Sequence, residues 1–306
     1  MPKYITITGN LLAESTAQFQ FPQEGKTTRA VSDVSFQVGG KGVNTARALN
    51  KLSGRKQYAI IFPAGFTGQR CSAWLKKADF CMPLTTQIDG ETREGLVCRN
   101  PKNGLETTFL GGDVKIPEHA FNNALDKIGK LARTGDFIAF CGSFAGWKDA
   151  YAKKLAKLCA KKNLRLCVDT YGKPLAAFSR EKLFLLKINR DELTTTFGKN
   201  KNIKTLSASL FANTENFVVS NSNGEIFARL GTDFHTLTPP EIKREISATG
   251  CGDVLTASLM FELSRTTAPL EALKISVARA SASAELAQTA VWREPRAHRL
   301  LKTLKK

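Results

Sequence analysis

No stretch of this 306-residue chain is apolar for long enough to cross a bilayer, which takes about 20 consecutive apolar residues. A membrane span is therefore not expected. No two cysteines stand in a C-x-x-C spacing. The seven, at positions 71, 81, 98, 141, 159, 167 and 251, are scattered and odd in number. Zinc ribbons and redox dithiols are thereby disfavoured; free thiols in a reducing cytoplasm are the expectation. The G-x-x-x-x-G-K-[ST] phosphate loop is absent, and so is that route to nucleotide binding. Repeats, low-complexity tracts and Pro/Gly/Ser linkers are also missing, so one domain over residues 1–306 is expected. The first eight residues alternate apolar and polar, the pattern of a strand and not of a signal peptide.

What the chain does have is ordinary globular composition, 42% hydrophobic and 24% charged, with a formal net charge of +18. Such an excess raises nucleic-acid binding as a function. The basic residues are not gathered in one block, however. Lys153, Lys154, Lys157, Lys161 and Lys162 fall mostly opposite Tyr151, Leu155, Leu158 and Cys159 on a helical wheel, as on a solvated helix face. No zinc-finger or RNA-recognition signature is present. Attraction of anionic substrates is another use such charge could have, and no nucleic-acid or membrane partner is expected.

Short apolar runs at residues 57–62, 136–141, 164–169, 184–189 and 216–220 alternate with helix-length segments such as 45–52, 120–132 and 150–162. That rhythm predicts an α/β fold with a mostly parallel sheet covered by helices. Ligands in such folds bind outside the carboxyl ends of the strands. Two polar, alternating stretches interrupt the rhythm, at 14–38 and 85–109. They read as extra strands forming a small β-lid from residues 10–38 and 85–112.

The densest chemistry lies in Ser247-Ala248-Thr249-Gly250-Cys251-Gly252-Asp253, followed by the apolar run 254–263. The arrangement puts free backbone N–H groups at the mouth of a helix, where anions are favoured. It also sets a carboxylate beside them, as phosphoryl transfer to a hydroxyl requires. A plain capped helix would use the same residue types. Cys251 is expected to be a small alanine-like filler; a thiol at such a helix start can also have a lowered pKa, which would make it reactive. A second glycine-rich segment, Gly39-Gly40-Lys41-Gly42-Val43-Asn44, precedes a helical pattern. Its glycines permit close backbone approach, Lys41 offers positive charge and Asn44 can bond hydroxyls.

Together the two segments resemble the signatures of the ribokinase, or PfkB, family of carbohydrate kinases. These are G-G-K-G-x-N near the start and T-x-G-A-G-D near residue 250, with Cys251 in place of the alanine. The resemblance implies a three-layer α/β/α ribokinase-like fold and ATP-dependent phosphorylation of an alcohol. Asp253 would be the base, Gly250, Cys251 and Gly252 the anion hole, and Thr249 a nucleotide contact. Lys187-Ile188-Asn189-Arg190-Asp191-Glu192 resembles the family's K-x-N-x-x-E segment, which implies Lys187 near the nucleotide and Mg²⁺ held through water by Asn189 and Glu192. Residues 219–224 resemble its S-x-G-x-x-G nucleotide loop, with Ser220 and Gly224 as contacts and Ser222 in place of the middle glycine. The helical run 273–290 would help wall the adenine. A monovalent cation, a homodimer formed through the lid and a cytoplasmic location also follow from the likeness.

On the acceptor side the likeness is to the branch containing 1-phosphofructokinase and tagatose-6-phosphate kinase. Thr92-Arg93 matches its T-R pair, and Cys141-Gly142-Ser143 its S-G-S turn. Lys41, Arg93 and Ser143 would hold a phosphate already on the sugar, with Gly39, Gly40 and Asn44 around it. Two departures stand out. Glu14 replaces the aspartate that binds sugar hydroxyls, and Glu94-Gly95-Leu96-Val97 replaces a segment that carries a lysine. An unphosphorylated sugar or a nucleoside thus remains an alternative acceptor, and a non-catalytic nucleotide or sugar sensor an alternative function.

Overall fold

The computed structural model describes residues 2–20, 24–102, 104–199, 202–221, 224–265 and 267–304. In chain order its first elements are β1 (Tyr4–Thr8), β2 (Leu12–Gln18), β3 (Ser35–Gly39), α1 (Lys41–Ser53), β4 (Gln57–Ile61), α2 (Gly65–Lys77) and β5 (Cys81–Thr85). Then come β6 (Arg93–Arg99), β7 (Glu106–Leu110), α3 (Glu118–Leu131), β8 (Phe137–Cys141), α4 (Ala150–Lys162), β9 (Arg165–Asp169) and α5 (Lys173–Phe178). The chain continues through β10 (Leu183–Asn189), α6 (Arg190–Phe197), α7 (Ile203–Ser209), β11 (Thr214–Asn221), β12 (Gly224–Leu230) and β13 (Asp233–Leu237). It closes with α8 (Cys251–Ser264), α9 (Pro269–Ala284) and α10 (Glu294–Thr303).

Nine strands form the main sheet in the order β13-β12-β11-β10-β9-β8-β1-β4-β5. From β5 to β11 neighbouring strands are parallel; β12 and β13 end the sheet as antiparallel strands. Alternation along buried strands builds both faces. In β8, Ile138 and Phe140 pack with Phe121, Tyr151 and Phe178 on the side of α3, α4 and α5. Phe137, Ala139 and Cys141 pack with Leu49, Leu259, Met260 and Val277 on the side of α1, α8 and α9. Helix α8 is buried from Asp253 to Glu262 without a break, which explains why its sequence shows an apolar run and no polar stripe.

A second sheet, ordered β3-β2-β6-β7, is drawn from the two stretches that interrupt the α/β rhythm. Leu11, Ala13 and Val38 anchor it against Val43, Ala46, Ile61 and Leu75. Its outer strand β7 is largely exposed.

Two helix limits differ from the sequence reading. Helix α1 begins at Lys41, four residues before the expected start, because Gly40 at φ 111° serves as its N-cap. Helix α9 ends at Ala284 and not at 290. Beyond it the chain turns, with Ala290 at φ 57°, and packs against Gly250.

Candidate active site

The strand order reverses around β1, which has β4 on one side and β8 on the other. Such a switch point opens a crevice at the carboxyl ends of the strands. Gly9 and Asn10 leave β1 there, Gly142 and Ser143 leave β8, Asp169 ends β9, and Asn189 and Ser220 sit side by side near the ends of β10 and β11. The Gly9 amide donates to the Cys141 carbonyl at 3.3 Å and the Gly142 amide to the Asp169 carbonyl at 2.8 Å. These bonds hold the crevice walls together.

The first turn of α8 points into this region. Gly250 caps it at φ 85°, and a Cβ there would lie 2.7 Å from both the Ala290 amide nitrogen and the Thr289 side chain. A Cβ on Gly252 would come 2.6 Å from Lys187 Nζ. Glycine at both places therefore lets backbone and ammonium approach as no other residue would. The Cys251 amide turns back to the Ala248 carbonyl at 3.2 Å. The Gly252 and Asp253 amides follow in the first turn, whose N–H groups lack intrahelical acceptors.

Around this turn lies a ring of alternating charges. Lys41 Nζ bonds Asp169 Oδ1 at 2.7 Å and Glu192 Oε1 at 2.6 Å. Lys187 Nζ lies 3.3 Å from Asp169 Oδ2, which also accepts from Thr256 Oγ1 at 2.7 Å. Asp253 Oδ2 accepts from Asn44 Nδ2 at 2.8 Å. Burial raises the Asp253 carboxyl, and the nearby Asp169 carboxylate adds to it, so that it is pushed up to about 7. Burial also opposes ionisation of Asp169, but Lys187 and Lys41 outweigh it and hold that group below the usual carboxylate range. Burial works against the charge on Lys41, and Asp169 and Glu192 reverse the effect and raise its pKa. Two carboxylates in one crevice are thus driven apart, one ionised and one poised near neutrality, which is how acid–base roles are separated. The Asn44 carbonyl oxygen is buried with no hydrogen-bond partner among the described residues. Buried acceptors are seldom left so, and this one lies beside the poised carboxyl.

The expected phosphate corner is built differently from the sequence reading. Lys41, Arg93 and Ser143 are expected as one cluster; Arg93 and Ser143 are joined through Asp113 and Asn10, whereas the Lys41 ammonium turns away from them. Lys41 turns to Asp169 and Glu192. Arg93 Nη1 bonds Asp113 Oδ1 at 3.0 Å, and Asn10 Nδ2 bonds both Asp113 Oδ1 at 2.6 Å and Ser143 Oγ at 3.2 Å. Glu14 is buried and accepts from Gln37 Nε2. Gln37 in turn meets Thr289 Oγ1 at 3.0 Å and Arg47 Nη1 at 3.1 Å. A Cβ on Gly39 would lie 3.3 Å from Glu14 Oε2, so Glu14 does stand beside the first glycine motif.

On the nucleotide side, Asn189 and Glu192 form a capping box at the start of α6: Asn189 Oδ1 accepts from the Glu192 amide at 2.8 Å and Glu192 Oε2 from the Asn189 amide at 3.3 Å. With Lys41 on Oε1, both Glu192 oxygens are engaged. Mg²⁺ keeps much of its hydration when bound, so these engaged oxygens could still meet it through its waters. Among the described residues no group of three or more His, Cys, Asp or Glu side chains is arranged to hold a metal ion. Ser220 Oγ lies 3.5 Å from the Ile188 carbonyl, and Gly224 pairs with Asn221 across the β11–β12 turn. Ser222 lies outside the described residues. Thr249 donates to Glu106 Oε1 at 2.7 Å.

Of the two readings of Cys251, burial favours the alanine-like filler. Its thiol is pushed up to about 12 by burial, with Sγ 3.7 Å from the Ser247 carbonyl. Desolvation opposes the helix terminus at this thiol, which argues against an activated nucleophile. The residues that sequence reasoning missed are Asp169, Thr256, Asp113, Gln37, Arg47 and Glu106. Only Asp169 had a signal, as the polar end of an apolar strand.

An α/β sheet with a charge-lined crevice at its switch point, a glycine turn opening a buried helix and a carboxyl within it defines a ribokinase-like protein. The model of the pfkB family of carbohydrate kinases matches residues 9–293, and the chain belongs to that family. It is thus an ATP-dependent carbohydrate kinase, a phosphotransferase with an alcohol as acceptor. The chain is 30% identical to the 1-phosphofructokinase of Bacillus subtilis over 176 residues, 57% of this chain and 55% of that protein. It is 29% identical to the 1-phosphofructokinase of Borreliella burgdorferi over 262 residues, 82% of this chain and 81% of that one. The crystal structure of phosphofructokinase-2 from Escherichia coli in complex with potassium matches with a TM-score of 0.88 at 20% identity, covering 100% of both chains. No helix among the described residues is long and apolar enough to cross a membrane.

Proposed function

We propose that the protein transfers the γ-phosphoryl group of ATP to a hydroxyl of a sugar phosphate of the fructose-1-phosphate or tagatose-6-phosphate kind. The observation that carries this reading is the buried Asp253 carboxyl, tuned to about 7 and hydrogen-bonded on one oxygen by Asn44. Deprotonated, Asp253 takes the proton of the acceptor hydroxyl through its other oxygen. The unpaired Asn44 carbonyl accepts from an acceptor hydroxyl and so fixes the sugar beside the base. The amides of the Gly250–Asp253 turn, with Lys187 behind Gly252, meet the charge that develops on the transferring group. Such preorganised donors each contribute about 2.7–4 kcal/mol when tested by deletion elsewhere. Asn189 and Glu192 would hold Mg²⁺ through water, and the ion would supply charge neutralisation at the nucleotide phosphates. Ser220, Gly224 and Thr249 line the nucleotide side.

The test is a coupled ADP-release assay across sugars and sugar phosphates, with the product identified by mass spectrometry. Asp253→Asn should keep the fold and lose about 10²–10⁴-fold in turnover. A variant that kept the wild-type rate would remove Asp253 from the reaction.

A second reading, phosphorylation of an acceptor without phosphate, is favoured by one observation. Asp113 already neutralises Arg93, the arginine that would bind a sugar phosphate.

The second sheet, from the stretches 10–38 and 85–112, acts as a lid on a single kinase domain and also as a dimer surface. Val31, Val34, Phe109 and Leu110 are exposed on or beside it by 52%, 60%, 58% and 53%, and a second copy of the chain would cover them. Light scattering should give a dimer that Phe109→Asp dissociates; a monomeric wild type would exclude it. The potassium complex of the Escherichia coli enzyme motivates a monovalent-cation requirement, checked by replacing K⁺ with a bulky organic cation. Seven free cysteines support a cytoplasmic location, which fluorescence tagging would check.

A further inference from the structure

Strand β7 is mostly exposed, and Glu106 at its start is the exception. Its side chain is 15% exposed and pairs across the ladder with Arg99, Nε to Oε2 at 2.9 Å. The same carboxylate leaves the second sheet and reaches the segment just before the anion turn. Thr249 Oγ1 donates to Oε1 at 2.7 Å and Ser247 Oγ to Oε2 at 3.1 Å. The Thr249 amide returns to Ser247 Oγ at 3.2 Å. Arg99 Nη2 adds a bond to the Ala287 carbonyl at 2.8 Å, in the turn that packs against Gly250. The backbone ladder between β6 and β7 already holds the hairpin, so these contacts are not needed for the sheet itself. What they join is the sheet beside the acceptor corner and the two residues that lead into Gly250.

We propose that Glu106 is a positioning residue for phosphoryl transfer. It holds Ser247 and Thr249, and through them the amides of the Gly250–Gly252 turn, so that the anion hole is complete only while the second sheet is docked. The proposal rests on the reading of residues 250–253 as the anion hole. It ties chemistry at the nucleotide to occupancy of the acceptor side, as a closing element does when it completes a catalytic constellation.

Hydrogen exchange on the ligand-free protein tests the contact without any assay of activity. In Glu106→Ala the amides of residues 247–252 should exchange at least about tenfold faster, while those of β10 and α6 stay as in the wild type. Unchanged exchange at 247–252 would overturn the proposal. In kinetics, Glu106→Ala and Thr249→Val should each lower kcat about tenfold and leave the acceptor KM within about twofold. The double variant should lose no more than either single one, because residues acting as a unit are not additive. Glu106→Gln, which keeps an oxygen for Thr249, should recover part of the rate. Multiplying losses, or a loss confined to the acceptor KM, would overturn the positioning role. A wild type that phosphorylates no sugar would defeat the kinase reading, and the exchange measurement would still decide the contact.

Discussion

The two ends of the crevice are built on different principles. At the base end, Asp253, Asp169 and Lys187 are almost wholly buried; Asp169 is held by Lys41, Lys187 and Thr256 from three elements, and Asp253 by Asn44. At the acceptor corner, Asp113 is 43% exposed, and it lies in an irregular segment after the second sheet. The base end resembles a protein interior in which charge is arranged once and kept. The corner is a surface on which charges can be exchanged. On the proposed function, the contrast divides reaction from selectivity: the proton and the phosphoryl group would be handled inside the packed sheet, and the choice of sugar made on its cover.

The sharpest way to break this comparison is at Asp253, where the Asn variant carries the largest expected loss. The base end also predicts a pH response. Because a deprotonated Asp253 is needed, kcat/KM should rise through an apparent pKa near 7, and a flat profile from pH 5 to 8 would contradict the tuned carboxyl. Stability should move the other way. Asp253 is raised above its ordinary value, so between about pH 4 and 7 the unfolded chain releases a proton that the native one keeps. Native stability therefore falls as pH rises through that window. Asp253→Asn escapes this cost and should be more stable than wild type by roughly 2–4 kcal/mol at pH 8 and about equal at pH 4, as chemical denaturation can measure.

A smaller effect is expected at the corner. Asp113→Asn removes the carboxylate that a substrate phosphate would oppose. It should improve kcat/KM for phosphorylated over unphosphorylated acceptors by about tenfold, read from paired substrates. Unchanged discrimination would free Arg93 from the role assigned to its partner. The smallest effect falls at Cys251. Cys251→Ala should keep turnover within about twofold, and alkylation of the wild type should be slow. Rapid inactivation that nucleotide prevents would show the thiol to be ionised after all.

Much of the base end was legible because its residues sit in short contiguous motifs. Asn44, Lys187, Asn189, Glu192 and Gly250 to Asp253 lie in segments that resemble the family's signatures, and alternating apolar runs announce the sheet. The start of α1 was not, because glycines that usually break helices here form the cap and the first turn, with Gly42 packed against Thr8. The end of α9 was overread because a run rich in alanine favours helix locally, while the fold needs residues 285–290 to turn back onto Gly250. The corner was illegible for a different reason. Asp113 meets Asn10 across 103 positions, and Glu106 meets Thr249 across 143. No local pattern encodes such pairs; only the assembled sheets bring them together.

One consequence follows from α8 being packed on every side. A helix with no solvent face cannot absorb a bulkier side chain by leaning outward; it can only shift along its length and take Asp253 with it. A displacement of about 1 Å at a reacting group can cost about 10²-fold in rate. Over evolutionary drift this helix should therefore act as a fixed anvil. A lineage that changes its sugar would have to rewrite the strands and turns of the second sheet, and leave alone the residues behind the base.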